Sequence, residues 1–179
     1  MNLKNFFYKK TVVVTGHTGF KGSWLSLWLK ILGAKVIGIS INIPSGHSHF
    51  KVIKLQNKIK HIEMDIRNLQ ILKKTFRKYQ PDYVFHLAAY AAEGLSPFIR
   101  KYNYLNNTVA TANIINNCIT YNIERLIFSS TMAVYGYAGM DSRKGDLQRS
   151  FSEDQTPEPI DPYGIAKYAC EMDIRVAQR

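Results

Sequence analysis

The sequence predicts an α/β domain, a doubly wound parallel sheet covered by helices on both faces. Three observations carry that expectation. Short β-branched runs of buried type alternate with segments of helical periodicity, and a glycine cluster stands at the first strand-to-helix junction. The chain of 179 residues is long enough for one real core and too short for two ordinary ones, so residues 1–179 are read as a single domain.

The elements follow in order. Thr11 to Thr15 (T-V-V-V-T) reads as the first strand. Phe20 to Leu32 places apolar side chains at Phe20, Trp24, Leu27, Trp28, Ile31 and Leu32, the spacing of a well-buried helix, and Gly33 closes it as a C-cap. Lys35 to Ser40 is a second strand, His61 to Met64 a short third, and Asn68 to Tyr79 a helix ended by Pro81. Tyr83 to Ala88 is the fourth strand, Pro97 to Tyr121 one long helix, and Arg125 to Ser129 the fifth strand. From Tyr137 to Pro162 the pattern gives way to Gly, Asp, Ser, Arg and three prolines, a loop of the length that usually serves function. Tyr163 to Gln178 is helical again.

Composition narrows the classes. Hydrophobic content of 46% with 21% charged residues is ordinary for a globular protein. No stretch approaches the roughly 18 to 20 apolar residues of a membrane span, and the N-terminus has no signal-peptide run, so a cytoplasmic protein without a membrane partner is expected. Cys118 and Cys170 match no metal or redox spacing and read as small buried hydrophobes. His47 and His49, beside Pro44 and Gly46, read as loop residues rather than metal ligands. The net charge of +11 would suit an anionic partner. Yet Lys51, Lys54, Lys58 and Lys60, then Lys73, Lys74, Arg77 and Lys78, have the spacing of solvated helix faces without interleaved aromatics, which argues against nucleic acid.

Two motifs carry chemistry. T-G-H-T-G-F-K-G places Gly16, Gly19 and Gly22 between strand and helix: the first for a tight turn, the second for close approach of a pyrophosphate, the third for helix-on-strand packing. Tyr163-Gly-Ile-Ala-Lys167 puts a phenol and an ammonium on one helix face. A phenol of pKa near ~10 needs such a neighbouring positive charge to act as a base at neutral pH.

With its G-x-x-G-x-x-G spacing, the glycine motif resembles that of the extended short-chain dehydrogenases/reductases, the NAD-dependent epimerase/dehydratase family with a Rossmann-like domain. The resemblance implies cofactor contacts from Gly16, Gly19, Phe20, Lys21 and Gly22. It assigns Asp65-Ile66 to the adenine, Leu87, Ala88 and Ala89 of H-L-A-A to the cofactor-lining backbone, and Asn106 to support of that site; Tyr163 and Lys167 touch the cofactor as well. Where an acidic residue would hold the adenosine ribose, Ser40 stands, and no arginine replaces it. NAD is favoured, with NADP left open.

The resemblance also implies a catalytic set of Thr131, Tyr163 and Lys167, acting on a nucleotide-diphosphate sugar through a 4-keto intermediate. Two branches compete. Thr15 to Leu29 resembles the CDP-glucose 4,6-dehydratases, which place an Asp-Glu pair in S-T-D-E-V-Y-G to eliminate water. Here the same frame reads Ser130-Thr131-Met132-Ala133-Val134-Tyr135-Gly136, and neither a thioether nor a methyl group transfers protons. Phe85 to Ile119 and P-I-D-P-Y-G-I-A-K resemble the UDP-glucose 4-epimerases, which need only the Thr/Tyr/Lys set. Epimerisation is therefore the expectation, with dehydration and a non-catalytic NAD-binding or partner-completed protein as alternatives. Family members continue well past the helix on which this chain stops, so the resemblance further implies a truncated domain whose C-terminal substrate domain is absent, doubtful activity alone, and self-association or a completing chain.

Overall fold

The computed structural model describes residues 2–91, 93–136 and 151–178. Among the described residues five strands form one sheet: β1 Thr11–Thr15, β2 Lys35–Ser40, β3 Lys60–Glu63, β4 Tyr83–His86 and β5 Arg125–Phe128. All pairings are parallel and the order is β3-β2-β1-β4-β5, the doubly wound Rossmann-like arrangement the sequence predicts. The order reverses direction between β1 and β4, so the segments leaving those two strands flank the topological switch point, where such sheets bind ligands.

The helices are α1 Leu3–Phe7, α2 Phe20–Ile31, α3 His49–Val52, α4 Leu69–Tyr79, α5 Arg100–Tyr104, α6 Ala110–Thr120 and α7 Pro162–Ala177. The residues divide into two compact units, Met1–Ala89 with Asn113–Ser129, and Tyr90–Ala112 with Ser130–Arg179. The first holds the whole sheet. Its core packs Val12, Val14, Val36 and Tyr83 against Leu29 of α2 and Ala34, with Phe6, Phe7 and Phe85 beside them. The sequence reading gave the N-terminus no structure. In fact α1 is capped by the Asn2 side chain, and Phe6 stacks on Tyr83 at 5.3 Å between ring centres.

Several expectations are corrected. The helix at residues 20–31 exists, but its apolar stripe is not buried: Phe20, Trp24, Trp28 and Ile31 are exposed, and Gly22, Ser23, Ser26 and Leu29 face inward. At Gly22 the first turn of the helix approaches the Gly16 backbone too closely for a side chain, while Leu29 fills the core further along. His49 opens α3 instead of lying in a loop, after Ser48 as its N-cap. Lys51, Lys54, Lys58 and Lys60 share no helix: they fall in α3, a left-handed residue, the end of a 3₁₀ turn and β3. The expected helix from Pro97 to Tyr121 runs without interruption from Arg100 to Thr120, with a π turn at Leu105–Val109 between α5 and α6 that periodicity does not predict. Cys170 is buried as expected, whereas Cys118 is only partly so. Of the predicted loop, residues 137–150 lie outside the described residues, and residues 151–161 form no helix or strand.

Candidate functional site

In the first unit the glycine loop is built by close approach. Gly16 has φ +75°, and a Cβ there would stand 2.8 Å from the Ala88 nitrogen. At Gly22 a Cβ would meet the Gly16 carbonyl oxygen at 2.2 Å, so the first turn of α2 packs on the loop only without a side chain. Thr15 ties the ends of β1 and β4 together. Its carbonyl accepts from the Leu87 N–H at 3.2 Å, its Oγ1 from the Ala88 N–H at 3.1 Å, and the hydroxyl lies 2.6 Å from His86 Nδ1. Gly16 and Leu87-Ala88 are thereby brought together at the switch point. Gly19 is the N-cap of α2 and offers no side-chain cap to its first N–H groups. Such groups, with the positive end of the helix dipole, suit an anion.

Sequence reasoning passed over His17, the residue that holds this loop from below. It is fully buried; Nδ1 lies 3.1 Å from Ser40 Oγ, Nε2 lies 2.7 Å from His61 Nδ1, and the ring meets Phe50 edge-on. The ring lies so close over β2 that a Cβ at Gly38 would fall 2.3 Å from it. Burial pushes the His17 imidazole down from 6.5 to about 4, against a backbone hydrogen bond to Ile39 and with help from His61. Its signal in the sequence was a polar ring inside the glycine loop opposite a glycine within β2.

Two first-unit candidates already have protein partners. Ser40 is buried, its hydroxyl shared between His17 and the Thr18 N–H. Asp65 accepts from Arg67 Nε at 2.8 Å and from the Arg67 backbone N–H at 2.8 Å, and the guanidinium holds its carboxyl below the usual range. Asn113 of α6 donates to the carbonyls of Ile66 and Arg67, which fixes this turn beyond β3.

The second unit holds Thr131, Tyr163, Lys167 and the asparagines. The three hydroxyls after β5 separate. Ser129 continues the ladder, its N–H on the His86 carbonyl; Ser130 donates to Glu171 of α7; Thr131 caps the 3₁₀ turn Met132–Tyr135, its Oγ1 accepting from the Ala133 N–H at 3.2 Å. That turn packs tightly on α7, since a Cβ at Gly164 would lie 2.5 Å from the Ala133 carbonyl oxygen. Asp161 caps α7 through the N–H groups of Tyr163 and Gly164, with Pro162 at the first helical position. Ser96 donates to Asp161 and accepts from the Tyr163 N–H, and Asn103 Nδ2 donates to the Pro162 carbonyl at 2.8 Å. The start of α7 is thus held on both sides.

Tyr163 and Lys167 are both buried on α7. Burial pushes the Lys167 ammonium down from 10.5 to about 8, with Cys170 and Glu171 opposing. The support expected of Asn106 belongs geometrically to its neighbour. Asn106 donates only to the Tyr102 carbonyl of its own helix, whereas buried Asn107 accepts from the Tyr90 N–H at 2.8 Å and donates to Asn103 Oδ1 at 2.7 Å. The π turn sets Asn107 inward, and π turns favour functional sites.

Residues 12–179 match the model of the NAD dependent epimerase/dehydratase family. The chain is 32% identical over 170 residues to the CDP-glucose 4,6-dehydratase of Salmonella typhimurium, covering 94% of this chain and 45% of that protein. Among solved structures, the UDP-Glc/GlcNAc 4-epimerase of Campylobacter jejuni superposes with a TM-score of 0.82 at 27% identity, over 94% of this chain and 49% of that one. The UDP-glucose 4-epimerase of Brucella ovis, solved in complex with NAD, gives a TM-score of 0.78 at 28% identity, over 93% and 47% of the two chains. The chain spans about half the length of the relatives it matches. It belongs to the NAD-dependent epimerase/dehydratase family.

Proposed function

We propose that the chain provides the NAD-binding and proton-transfer half of a nucleotide-sugar 4-epimerase. The glycine loop fits a dinucleotide: the uncapped N–H groups of Phe20, Lys21 and Gly22 would take the pyrophosphate, Gly19 leaves room for it, and Leu87, Ala88 and Ala89 would line its path. Asp65 and Ile66 would hold the adenine, the ribose falls to Ser40, and Asn107, with Asn106 beside it, would keep the segment after β4 in place. NAD, when bound, accepts and returns the hydride.

The chain's own residues handle the proton. Lys167, with a pKa of about 8, keeps its charge at neutral pH, and that charge stabilises the Tyr163 phenolate. Tyr163 takes the proton of the sugar 4-hydroxyl. Thr131 accepts from Ala133 and so has its own hydroxyl hydrogen to donate to the same oxygen. Return of the proton from Tyr163, after the keto sugar has turned over, completes an epimerisation.

A single observation favours epimerisation over dehydration. After Thr131 come an outward thioether at Met132 and a buried methyl at Ala133, where elimination of water across C5 and C6 needs an acid and a base. The dehydratase reading rests on the relative from Salmonella typhimurium. Titration with NAD, followed by incubation with UDP-glucose and CDP-glucose, separates the readings. A C4-inverted sugar supports the proposal and a 4-keto-6-deoxy product would refute it. Binding without turnover leaves a non-catalytic or partner-completed NAD protein. Tyr163→Phe is expected to bind NAD normally and to lose any epimerisation; turnover equal to the parent's would remove Tyr163 from its role.

A further inference from the structure

The outer face of α2 has no task in the proposed chemistry and is built against ordinary amphipathic logic. Phe20 is 75% exposed, Trp24 52%, Trp28 53% and Ile31 68%. On a helix these positions span an arc of about 80°, opposite the inward arc of Gly22, Ser23, Ser26 and Leu29. The largest apolar side chains of α2 therefore form its outward ridge. Trp24 is braced from beneath, its ring stacked on His49 at 3.8 Å, and still remains half exposed. Lys21 borders the ridge, Lys30 is exposed in the last turn of α2, and Lys51 and Lys54 lie in and after the neighbouring α3. The first carboxylate side chain of the whole sequence is Glu63; before it come ten lysines and no Asp or Glu.

We propose that this ridge is a docking surface for an anionic lipid bilayer. Exposed indole and phenyl rings backed by lysines are what an interfacial helix presents to headgroups, with apolar side chains entering the acyl boundary and ammonium groups meeting the lipid charge. Charge decides against a second copy as the occupant. Antiparallel pairing of two α2 helices would set Lys21 opposite Lys30 of the other copy, with no carboxylate on either helix to offset them.

The protein's two tryptophans are Trp24 and Trp28, so their fluorescence reports this surface alone. The chain is mixed with vesicles of phosphatidylcholine, and separately with vesicles containing about 30% phosphatidylserine. A blue-shifted emission and co-flotation are expected with the anionic vesicles only, and both should reverse in about 1 M salt. Ile31→Gln keeps both reporters and is expected to weaken vesicle binding roughly tenfold. Lys30→Glu should weaken it at least as much, roughly tenfold or more. Neither residue is packed in the core, so both variants should melt like the parent. Absence of shift and flotation would overturn the proposal, as would equal binding to neutral vesicles or unchanged binding by both variants. A blue shift that grows with protein concentration in the absence of lipid, together with dimers in sedimentation, would overturn it in favour of a second copy.

Discussion

Acidification should weaken this fold well before its carboxylates titrate, because of one imidazole. His17 lies under the glycine loop with Ser40, His61 and Phe50 around it, and burial lowers its pKa from 6.5 to about 4. Above about pH 7.5 the ring is essentially neutral in both states and almost no protons are exchanged on unfolding. As the pH falls through 6.5 the unfolded chain takes up a proton that the folded chain refuses until about 4, so stability declines across that window. Linkage between those two values gives a loss of roughly 2 kcal/mol between about pH 7.5 and about pH 5, approaching roughly 3 kcal/mol near pH 4. That is a large share of an ordinary domain's stability. The assay is urea unfolding at a series of pH values for the parent and for His17→Gln, which cannot titrate; the parent should lose the excess and the variant should not. The lowered carboxylates, Asp65 and Glu124, enter only at the acid end of this window, since their ordinary values are 3.8 and 4.5, so the comparison is read between about pH 7.5 and about pH 5.5. A His17 ring proton titrating near 6.5 by NMR in the folded parent would refute the reasoning outright, even if the variant failed to fold.

Two further outcomes follow from packing. Gly22→Ala pushes a methyl to 2.2 Å from the Gly16 carbonyl, a rigid backbone atom, so a stability loss of about 1–3 kcal/mol and a large fall in NAD affinity are expected, read by melting and by NAD titration. Asn107→Ala strips the Tyr90 N–H of its acceptor and should cost about 1–3 kcal/mol, while Asn106→Ala, which loses only a bond to its own helix, should stay within about 0.5 kcal/mol of the parent. Equal melting temperatures for the two asparagine variants would contradict the distinction.

Strand positions were legible because parallel strands buried on both faces announce themselves as β-branched runs, and all five lie where Thr11, Lys35, His61, Tyr83 and Arg125 mark them, within a residue or two. The glycine loop was legible for the same kind of reason: Gly16 and Gly22 answer to local contacts. What escaped depends on which way a face points. Periodicity placed Phe20, Trp24, Trp28 and Ile31 on one stripe of α2, but nothing in a period says whether that stripe faces the sheet, and here Gly22, Ser23, Ser26 and Leu29 face it instead. Choosing Asn106 over Asn107 failed likewise, since one extra residue in the π turn rotates the helix and no sequence period records it. His17 was missed because its partners Ser40 and His61 lie on other strands.

The short helix α1 has a practical consequence for the choice of expression boundaries. The family match opens at residue 12, and a fragment trimmed to that boundary would look complete by homology. It would lack Phe6 and Phe7, the aromatic cover on Tyr83 and Phe85, and Lys10, which bridges Asp82 and Glu124 at 3.1 and 2.6 Å beside the entry to β1. Expression boundaries for this protein should therefore include Asn2 and α1, with any tag separated from Asn2 by a linker so that the cap is kept.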